Sequence, residues 1–173
     1  MKVQNLKSIL QILDLDVKNK TVTVQPGVIR DELNEFLKPH GLFFGPNTST
    51  SNRCMIGGMV GNNSSGTTSI QYGVTRDKVQ ALDVVLSDGA LVTFSAISSE
   101  IFYQKRTLRS VEGKVYSNIF KTLKNKEVRE NITLKFPKKS IHRRNTGYAI
   151  DSLLDAEIFG GNEPFNMCKL LTG

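Results

Sequence analysis

The residues best suited to bind a ligand lie in segment 45–73, which is rich in glycine, serine, threonine and asparagine. Arg53 is its only charged residue, so no carboxylate in the segment would repel a phosphate group. The adjacent Gly57 and Gly58 let a backbone pass close to a ligand, and their amide N–H groups can point at an anion. The segment therefore predicts a site for a cofactor that carries a diphosphate.

The spacing of these glycines differs from that of the two common nucleotide-binding loops. No Gly-x-Gly-x-x-Gly opens a βαβ unit, and neither Gly-Lys-Ser nor Gly-Lys-Thr occurs. By composition alone, a plain polar surface loop is the more frequent explanation of such a segment. The order of short motifs along the chain favours the binding interpretation instead.

Seven short motifs follow one another in this order. They are Val24 to Gly27, His40-Gly41-Leu42, Ser51, Ile56-Gly57-Gly58, Asn62 to Gly66, Tyr72-Gly73 and Asp88-Gly89. The series resembles the FAD-binding (PCMH-type) domain of the vanillyl-alcohol-oxidase, or FAD-linked oxidase, family. It is most similar to the branch that contains glycolate oxidase, D-lactate dehydrogenase and D-2-hydroxyglutarate dehydrogenase. Two later segments, PKKSIHRRNTGYAIDSLLD and FNMCKLLTG, extend the resemblance over nearly the whole chain.

The resemblance implies an α+β fold, with a mixed or antiparallel sheet flanked by helices, in two lobes at about residues 1–44 and 45–173. It also implies FAD as the cofactor and a small 2-hydroxy acid as the substrate, which is oxidised by hydride transfer to the flavin. By the same resemblance, the residues expected to contact FAD or to close the walls of its site are Pro46, Thr48, Thr50, Ser51, Ile56, Gly57, Gly58, Asn62, Ser65, Gly66, Tyr72 and Gly73.

The chain departs from the family pattern at both ends. In the family, a diphosphate-binding loop of the type Arg-Gly-x-Gly-Thr-Ser would precede Met1, and a substrate-binding cap domain would follow Gly173. The resemblance therefore predicts a partial FAD-binding domain that binds FAD weakly or not at all and has no turnover by itself. The catalytic residues are unassigned, because His142 has no obvious acid–base partner among its basic neighbours.

The composition sets further expectations. The 39% hydrophobic and 23% charged residues are ordinary for a globular protein of 173 residues. We expect no transmembrane helix, because no run of eighteen apolar residues occurs. A cytoplasmic location is expected, because no apolar signal segment follows Met1. Cys54 and Cys168 are expected to be free thiols, and no metal site is expected.

The net charge of +7 is confined to the second part of the chain. Residues 1–100 hold nine basic and nine acidic side chains, whereas residues 101–173 hold fourteen and seven. A basic region also fits nucleic-acid binding, but few aromatic residues are interleaved here, and a solvated face is the favoured interpretation. We therefore expect no nucleic-acid partner. A catalytically silent interaction module is a further alternative, and the sequence does not indicate the oligomeric state.

Hydrophobic patterns predict the elements that position segment 45–73. Residues 9–15 fit either a short helix or a strand, and a strand over 9–14 is favoured because a polar turn follows it; residues 21–25 are predicted as the next strand. Apolar residues at helical spacing predict a helix over 29–38. Strands are predicted at 79–86 and 90–94, because an Asp-Gly pair between them supplies the positive φ that a tight turn needs.

The last third of the chain is predicted to be mainly helical. Residues 95–109 lack a clear period, whereas one apolar stripe predicts a helix over 112–125. Residues 126–135 are expected either to extend that helix or to return as a short strand. Short helices are predicted at 151–155 and 165–171. Mixed elements in this order indicate an α+β fold.

Overall fold

The chain is described by a computed structural model that covers residues 9–138, 140–141, 143–144 and 147–173. It divides into two compact units, Met1–Lys78 and Val79–Gly173. Helices and antiparallel strands build both units, so the predicted α+β class is confirmed. His142 lies outside the described residues, and its interpretation stays a prediction.

The first unit begins with a β-hairpin. Strand β1 (Ile12–Asp16) pairs antiparallel with β2 (Thr21–Val24), with a bulge near Ile12. The strand predicted at 9–14 is therefore displaced toward the C-terminus. The reason is that Asp16 belongs to the strand and also closes the turn, where its carboxylate accepts a hydrogen bond from the Asn19 N–H at 2.9 Å.

Helix α1 (Arg30–Leu37) follows and supports the first unit. It buries Leu33 and Leu37, as the predicted helical spacing requires, and a 3₁₀ turn at Lys38–His40 follows it. Gly41 then adopts a φ of +67°, which ends the helical path at little steric cost. The core of this unit consists of Val28, Leu33 and Leu37, against which pack Ile12, Leu15, Val22, Val24, Leu42, Phe44 and Ile56.

The unit boundary at Lys78 falls later than the expected lobe boundary at residue 44. Segment 45–73 belongs to the first unit because its backbone bonds directly to the chain before α1. The N–H of Ile56 donates to the Val28 carbonyl at 2.9 Å, and that of Arg30 donates to the Cys54 carbonyl at 3.0 Å. The segment contains two short helices, α2 (Ile56–Gly61) and α3 (Ser69–Tyr72).

A three-stranded antiparallel sheet forms part of the second unit. Its order is β3 (Ala81–Val85), β4 (Leu91–Ile97) and β5 (Phe165–Asn166). The predicted hairpin is confirmed, with Gly89 at a φ of +82°. The helix predicted over 165–171 is wrong for its first two residues, which pair with β4. Helix α7 (Met167–Leu171) starts after them, where the Asn166 side chain accepts a hydrogen bond from the Cys168 N–H.

Three longer helices complete the second unit. They are α4 (Ser99–Arg106), α5 (Val111–Leu123) and α6 (Lys126–Lys135). Each begins after a side-chain cap, supplied by Ser98, Ser110 and Asn125 in turn. The cap at Asn125 separates α6 from α5, so residues 126–135 form a helix of their own. The helix predicted at 151–155 is instead a 3₁₀ turn at Ile150–Leu153.

Aromatic side chains fill the core of the second unit. The ring centroids of Phe102 and Phe165 lie 4.6 Å apart, and Tyr116 packs edge-on against Phe102. The buried residues of this core are Phe94, Phe102, Tyr116, Leu123, Leu153, Ala156, Phe165, Met167 and Cys168. Because β5 supplies Phe165, the short strand joins the end of the chain to the helices of this unit.

Burial of Cys168 predicts a loss of stability at alkaline pH. Burial raises the pKa of its thiol to about 11, whereas an unfolded thiol titrates near about 8.5. Below the unfolded pKa both states keep the proton. As the pH rises toward 11, the unfolded state loses its proton first, and folding is penalised. The unfolding free energy of the unsubstituted chain should therefore fall between about pH 8 and pH 10.5. In Cys168→Ser we expect this fall to be smaller by on the order of 2 kcal/mol.

Urea titrations at the two pH values measure this effect, with Cys54→Ser as the matched control. The serine hydroxyl can still donate to the Phe94 carbonyl, which the Cys168 thiol contacts at 3.0 Å. Equal pH dependence in Cys168→Ser and in the unsubstituted chain would contradict the prediction.

Candidate functional site

Segment 45–73 starts with an extended stretch that is held by helix α1. Gly45 and Pro46 are buried. The Arg30 guanidinium donates from Nε to the Pro46 carbonyl at 3.2 Å and from a terminal nitrogen to the Phe44 carbonyl at 3.3 Å. Asn34 accepts from the Phe44 N–H at 2.7 Å. The position of Pro46, a predicted cofactor residue, is therefore set by side chains of α1.

The next residues form a compact turn that brings three predicted site residues together. The hydroxyl oxygens of Thr48 and Thr50 lie 3.3 Å apart, and that of Thr48 lies 3.3 Å from the Cys54 sulfur. The Ser51 hydroxyl donates to the Asp31 carboxylate at 2.9 Å. These hydroxyls thus make contacts within the protein, which the sequence prediction of ligand donors did not include.

The two adjacent glycines have different surroundings. The Gly57 N–H donates to the Pro26 carbonyl at 2.8 Å, and a Cβ on Gly57 would lie 2.6 Å from the Cβ of Pro26. A Cβ on Gly58 would meet no atom within 4 Å, and no acceptor in the described part of the chain takes its N–H. The prediction that both amides face a ligand is therefore wrong for Gly57. Gly58, which is exposed, keeps the expected open side.

Residues 62–66 continue from α2 and turn back onto the start of the segment. Asn62 is exposed, and its side-chain oxygen accepts from the Ser64 hydroxyl at 2.5 Å. Ser65 is half-buried. Gly66 is buried so closely against Asn47 that a Cβ would overlap the Asn47 carbonyl oxygen. Gly66 thus has a packing role, in addition to any contact with a ligand.

Tyr72 and Gly73 end the segment beside its beginning. The Tyr72 ring packs edge-on against Phe43 at a centroid distance of 5.0 Å, and a Cβ on Gly45 would lie 2.6 Å from the Tyr72 Cβ. Gly73 has a φ of +77° and adjoins the Asp77 carboxylate, which accepts from the Val74 N–H at 2.9 Å. Both ends of the segment therefore meet in one place, as the prediction of a shared site requires.

Two residues that shape the site were not among the expected FAD contacts. Asn63 is buried with a φ of +48°, and its side-chain oxygen accepts from the Arg76 N–H at 2.9 Å. The buried Thr75 hydroxyl donates to the Ser64 carbonyl at 2.6 Å. A sequence signal for Asn63 exists, because asparagine tolerates positive φ better than most residues do. Thr75 carries no comparable signal.

The electrostatics of the segment come mainly from its contact with α1. The hydrogen bond from the Arg30 guanidinium, with a further one from Ser51, holds the pKa of the Asp31 carboxyl below its ordinary value. The carboxylate is thus neutralised locally by Arg30, at 2.9 Å. The segment itself contains no acidic residue, and an anionic group near Gly58 would meet no carboxylate of the segment.

Two features of segment 45–73 favour a polar ligand. Gly58 offers an open, exposed backbone, and the buried Ser69 hydroxyl has no hydrogen-bond partner among the residues described. A cavity of about 520 Å³ lies in the second unit instead, beside α6, and is lined by Lys126, Arg129, Glu130, Thr133, Leu134 and Leu154. That cavity includes none of the predicted cofactor residues.

The described residues lack two other features, a metal-binding cluster and a membrane-spanning helix. No group of three or more histidine, cysteine, aspartate or glutamate side chains there is placed to hold a metal ion. No helix in the same residues is both long and apolar enough to cross a membrane. Cys54 and Cys168 are free thiols.

Comparison with known proteins identifies relatives for almost the whole chain. D-2-hydroxyglutarate dehydrogenase of Haemophilus influenzae is 39% identical over 165 residues, which cover 94% of this chain and 15% of the relative. The enzyme of that name from Escherichia coli is 32% identical, with the same two coverages. Glycolate oxidase subunit GlcD of Bacillus subtilis is 43% identical over 86 residues, or 50% of this chain and 18% of the relative. The chain thus spans about 15% of the length of the first two.

A family model supplies the remaining comparison. The model described as "FAD binding domain" matches residues 3–95 of this chain. The match includes the whole of segment 45–73 and the hairpin of β3 and β4. It therefore covers more than half of the 173 residues. The chain belongs to the FAD binding domain family.

Proposed function

We propose that segment 46–73 forms one side of an FAD site in an enzyme that oxidises a 2-hydroxy acid. The observation that carries this proposal is the open backbone at Gly58, within a segment that matches the FAD binding domain family and lacks carboxylates. A backbone without a Cβ allows a diphosphate or a flavin ring to approach closely. When bound, FAD supplies the hydride acceptor for the oxidation.

The protein residues have binding and positioning roles in this proposal. The Gly58 N–H is free to donate to an anionic oxygen. Asn62 and Ser65 follow it within seven residues; Asn62 is exposed and Ser65 is half-buried. Thr48 and Thr50 hold the shape of the first turn through their paired hydroxyls. Pro46, Ile56, Gly66, Tyr72 and Gly73 complete the proposed walls, while Gly57 fixes α2 against Pro26.

The proposed substrate class comes from what the relatives share. D-2-hydroxyglutarate and glycolate, the compounds in the names of the two kinds of relative, are both 2-hydroxy acids. We therefore propose a small 2-hydroxy acid as the substrate and hydride transfer to the flavin as the reaction. The catalytic residues and the electron acceptor are not assigned.

Titration of FAD into the ¹⁵N-labelled chain, followed by NMR, tests the cofactor proposal. We expect amide shifts that are concentrated in segment 46–73, with Gly58 among the largest. We also expect weak affinity, with a Kd above about 10 μM, because the Gly57 N–H and the Ser51 hydroxyl are already bonded within the protein. Shifts spread over both units, or none in the segment, would contradict the proposal, and a submicromolar Kd would contradict the weak affinity.

Isolation of the protein from its own cells under native conditions tests the reaction. A flavin absorption spectrum that is bleached by a 2-hydroxy acid under anaerobic conditions supports the proposal. The panel would contain D-lactate, glycolate and D-2-hydroxyglutarate, with the matching 2-oxo acids as controls. A colourless protein that shows steep salt-dependent retention of nucleic acid would favour the alternative function instead.

We also propose a cytoplasmic location, which the two free thiols support, since reduced cysteines are typical of that compartment. Cell fractionation followed by immunodetection tests this. Recovery of the protein in a secreted fraction would overturn it.

A further inference from the structure

We propose that Arg30 and Asp31, the first two residues of α1, are positioning residues that hold both ends of the cofactor segment 46–51. This inference rests on the proposed function, because the segment contains Pro46 and Ser51 of the proposed FAD site. The two side chains do not themselves contact the flavin in this proposal. They fix the conformation of the backbone that does.

Arg30 holds the first end of the segment. Its guanidinium donates to two carbonyl oxygens, those of Phe44 and Pro46, which are separated by Gly45. The side chain is only 13% exposed, so its hydrogen bonds are shielded from water. Since the planar guanidinium can bind several acceptors at once in a fixed geometry, it sets the path of this extended stretch.

Asp31 holds the second end. Its carboxylate accepts from the Ser51 hydroxyl at 2.9 Å, and its backbone N–H donates to the Ser51 carbonyl at 3.2 Å. A side-chain and a main-chain contact thus converge on one residue. Ser51 in turn follows directly from the turn that contains Thr48 and Thr50, whose carbonyls accept from the N–H groups of Ser51 and Cys54 respectively.

The two contacts are linked through a single ion pair. A terminal nitrogen of Arg30 donates to the Asp31 carboxylate at 2.9 Å. The other carboxylate oxygen is the one that accepts from Ser51. A rotation of either side chain would therefore disturb both ends of the segment. This arrangement couples Pro46 to Ser51 through two adjacent side chains.

The Asp31 contact can be removed without loss of the core. The Asp31 side chain is 41% exposed, whereas the packing of α1 depends on the buried Leu33 and Leu37. An exposed ion pair of this kind contributes little to global stability. Its loss should therefore loosen the segment and leave the first unit folded, which separates positioning from a general structural role.

Amide hydrogen exchange in three variants tests the inference: Asp31→Asn, Asp31→Ala and Ser51→Ala. We expect exchange at Ser51, Arg53 and Cys54 to accelerate about fivefold in Asp31→Ala, the effect expected for loss of a typical intramolecular hydrogen bond at an exposed position. Asp31→Asn should be less affected, because the amide oxygen can still accept from Ser51. The Leu33 amide, which bonds within the helix to Ile29, should be unchanged.

A matched control comes from the second unit. There, the Thr93 hydroxyl donates to the exposed Asp83 carboxylate at 2.6 Å, a pair of the same chemistry. Asp83→Ala should leave exchange at residues 51–54 unchanged. The double variant Asp31→Ala with Ser51→Ala should be no more affected than Asp31→Ala alone, because both changes remove the same contact.

FAD titration of the same variants connects the contacts to binding. We expect an about fivefold weaker Kd in Asp31→Ala at an unchanged midpoint of thermal unfolding, with partial recovery in Asp31→Asn. Unchanged exchange at residues 51–54, faster exchange throughout the first unit, or a loosened segment with unchanged FAD affinity would each overturn the inference. If the unsubstituted chain shows no FAD shifts in segment 46–73, the proposed function fails, while the exchange data still decide whether Asp31 holds residues 51–54.

Discussion

Gly58→Val is expected to reduce FAD affinity by at least about tenfold, or about 1.4 kcal/mol, while the first unit stays folded. A Cβ at Gly58 would have no neighbouring atom within 4 Å outside its own helix, so the fold leaves room for a side chain there. The branched side chain instead occupies the space where the proposed cofactor approaches the backbone. NMR titration with FAD measures the affinity, and urea unfolding measures the stability of the same sample.

Gly61→Val is the matched control for Gly58→Val. Gly61 lies in the same short helix, is also exposed, and also has no atom within 4 Å of its Cβ position, but it is not a proposed cofactor residue. Both variants change glycine to valine in a helix and should have similar stability. Equal FAD affinity in the two variants would show that Gly58 has no special role in binding.

Gly57→Val should behave differently from both. Its Cβ would lie 2.6 Å from the Pro26 Cβ and 3.0 Å from the Pro26 carbonyl oxygen. We therefore expect Gly57→Val to destabilise the first unit whether or not FAD is present. Gly57 is thus a packing position and Gly58 a proposed binding position. Only substitution of Gly58 tests the contact with FAD.

Local signals in the sequence were sufficient for the elements that depend on local physics. The Asp88-Gly89 turn specified the hairpin because one residue must adopt a positive φ there, and Gly89 does so. The apolar spacing of Leu33 and Leu37 specified α1 in the same way. The two-residue strand β5 could not be predicted, because it exists only through pairing of Phe165 with Ile97, 68 positions earlier in the chain.

The candidate site shows the same division between local and distant contacts. Composition and motif order indicated segment 45–73 as the candidate site, and its two ends do come together near Tyr72. The separate roles of Gly57 and Gly58 were not predictable, because they depend on where Pro26 lies. Nor could the engagement of the Ser51 hydroxyl be predicted, since its partner Asp31 is 20 residues away. Residue type indicates which groups can bind a ligand, whereas packing decides which of them remain available.

Gly66→Ala is expected to destabilise the first unit by about 3 kcal/mol or more, at or above the upper end of the range for overpacking a buried position. A Cβ at this position would overlap the Asn47 carbonyl oxygen, which is part of the backbone and cannot rotate away as a side chain can. The neighbouring Thr68 hydroxyl donates to the Gly45 carbonyl at 2.9 Å, so residues 66–68 are fixed against 45–47 on both sides. Relief of the overlap would therefore require separation of the two stretches.

Urea unfolding followed through the amide signals of the first unit measures this loss. Gly61→Ala is the control, because its Cβ position is open and alanine is favoured over glycine in a helix by about 1 kcal/mol. The two variants add the same methyl group, but the change in unfolding free energy should be a decrease in Gly66→Ala and an increase in Gly61→Ala. Surface substitutions usually change the free energy of unfolding by no more than about 0.5 kcal/mol. If Gly66→Ala changes it by no more than that, residues 45–47 and 66–68 are not packed together. The two ends of segment 45–73 would then not form one site.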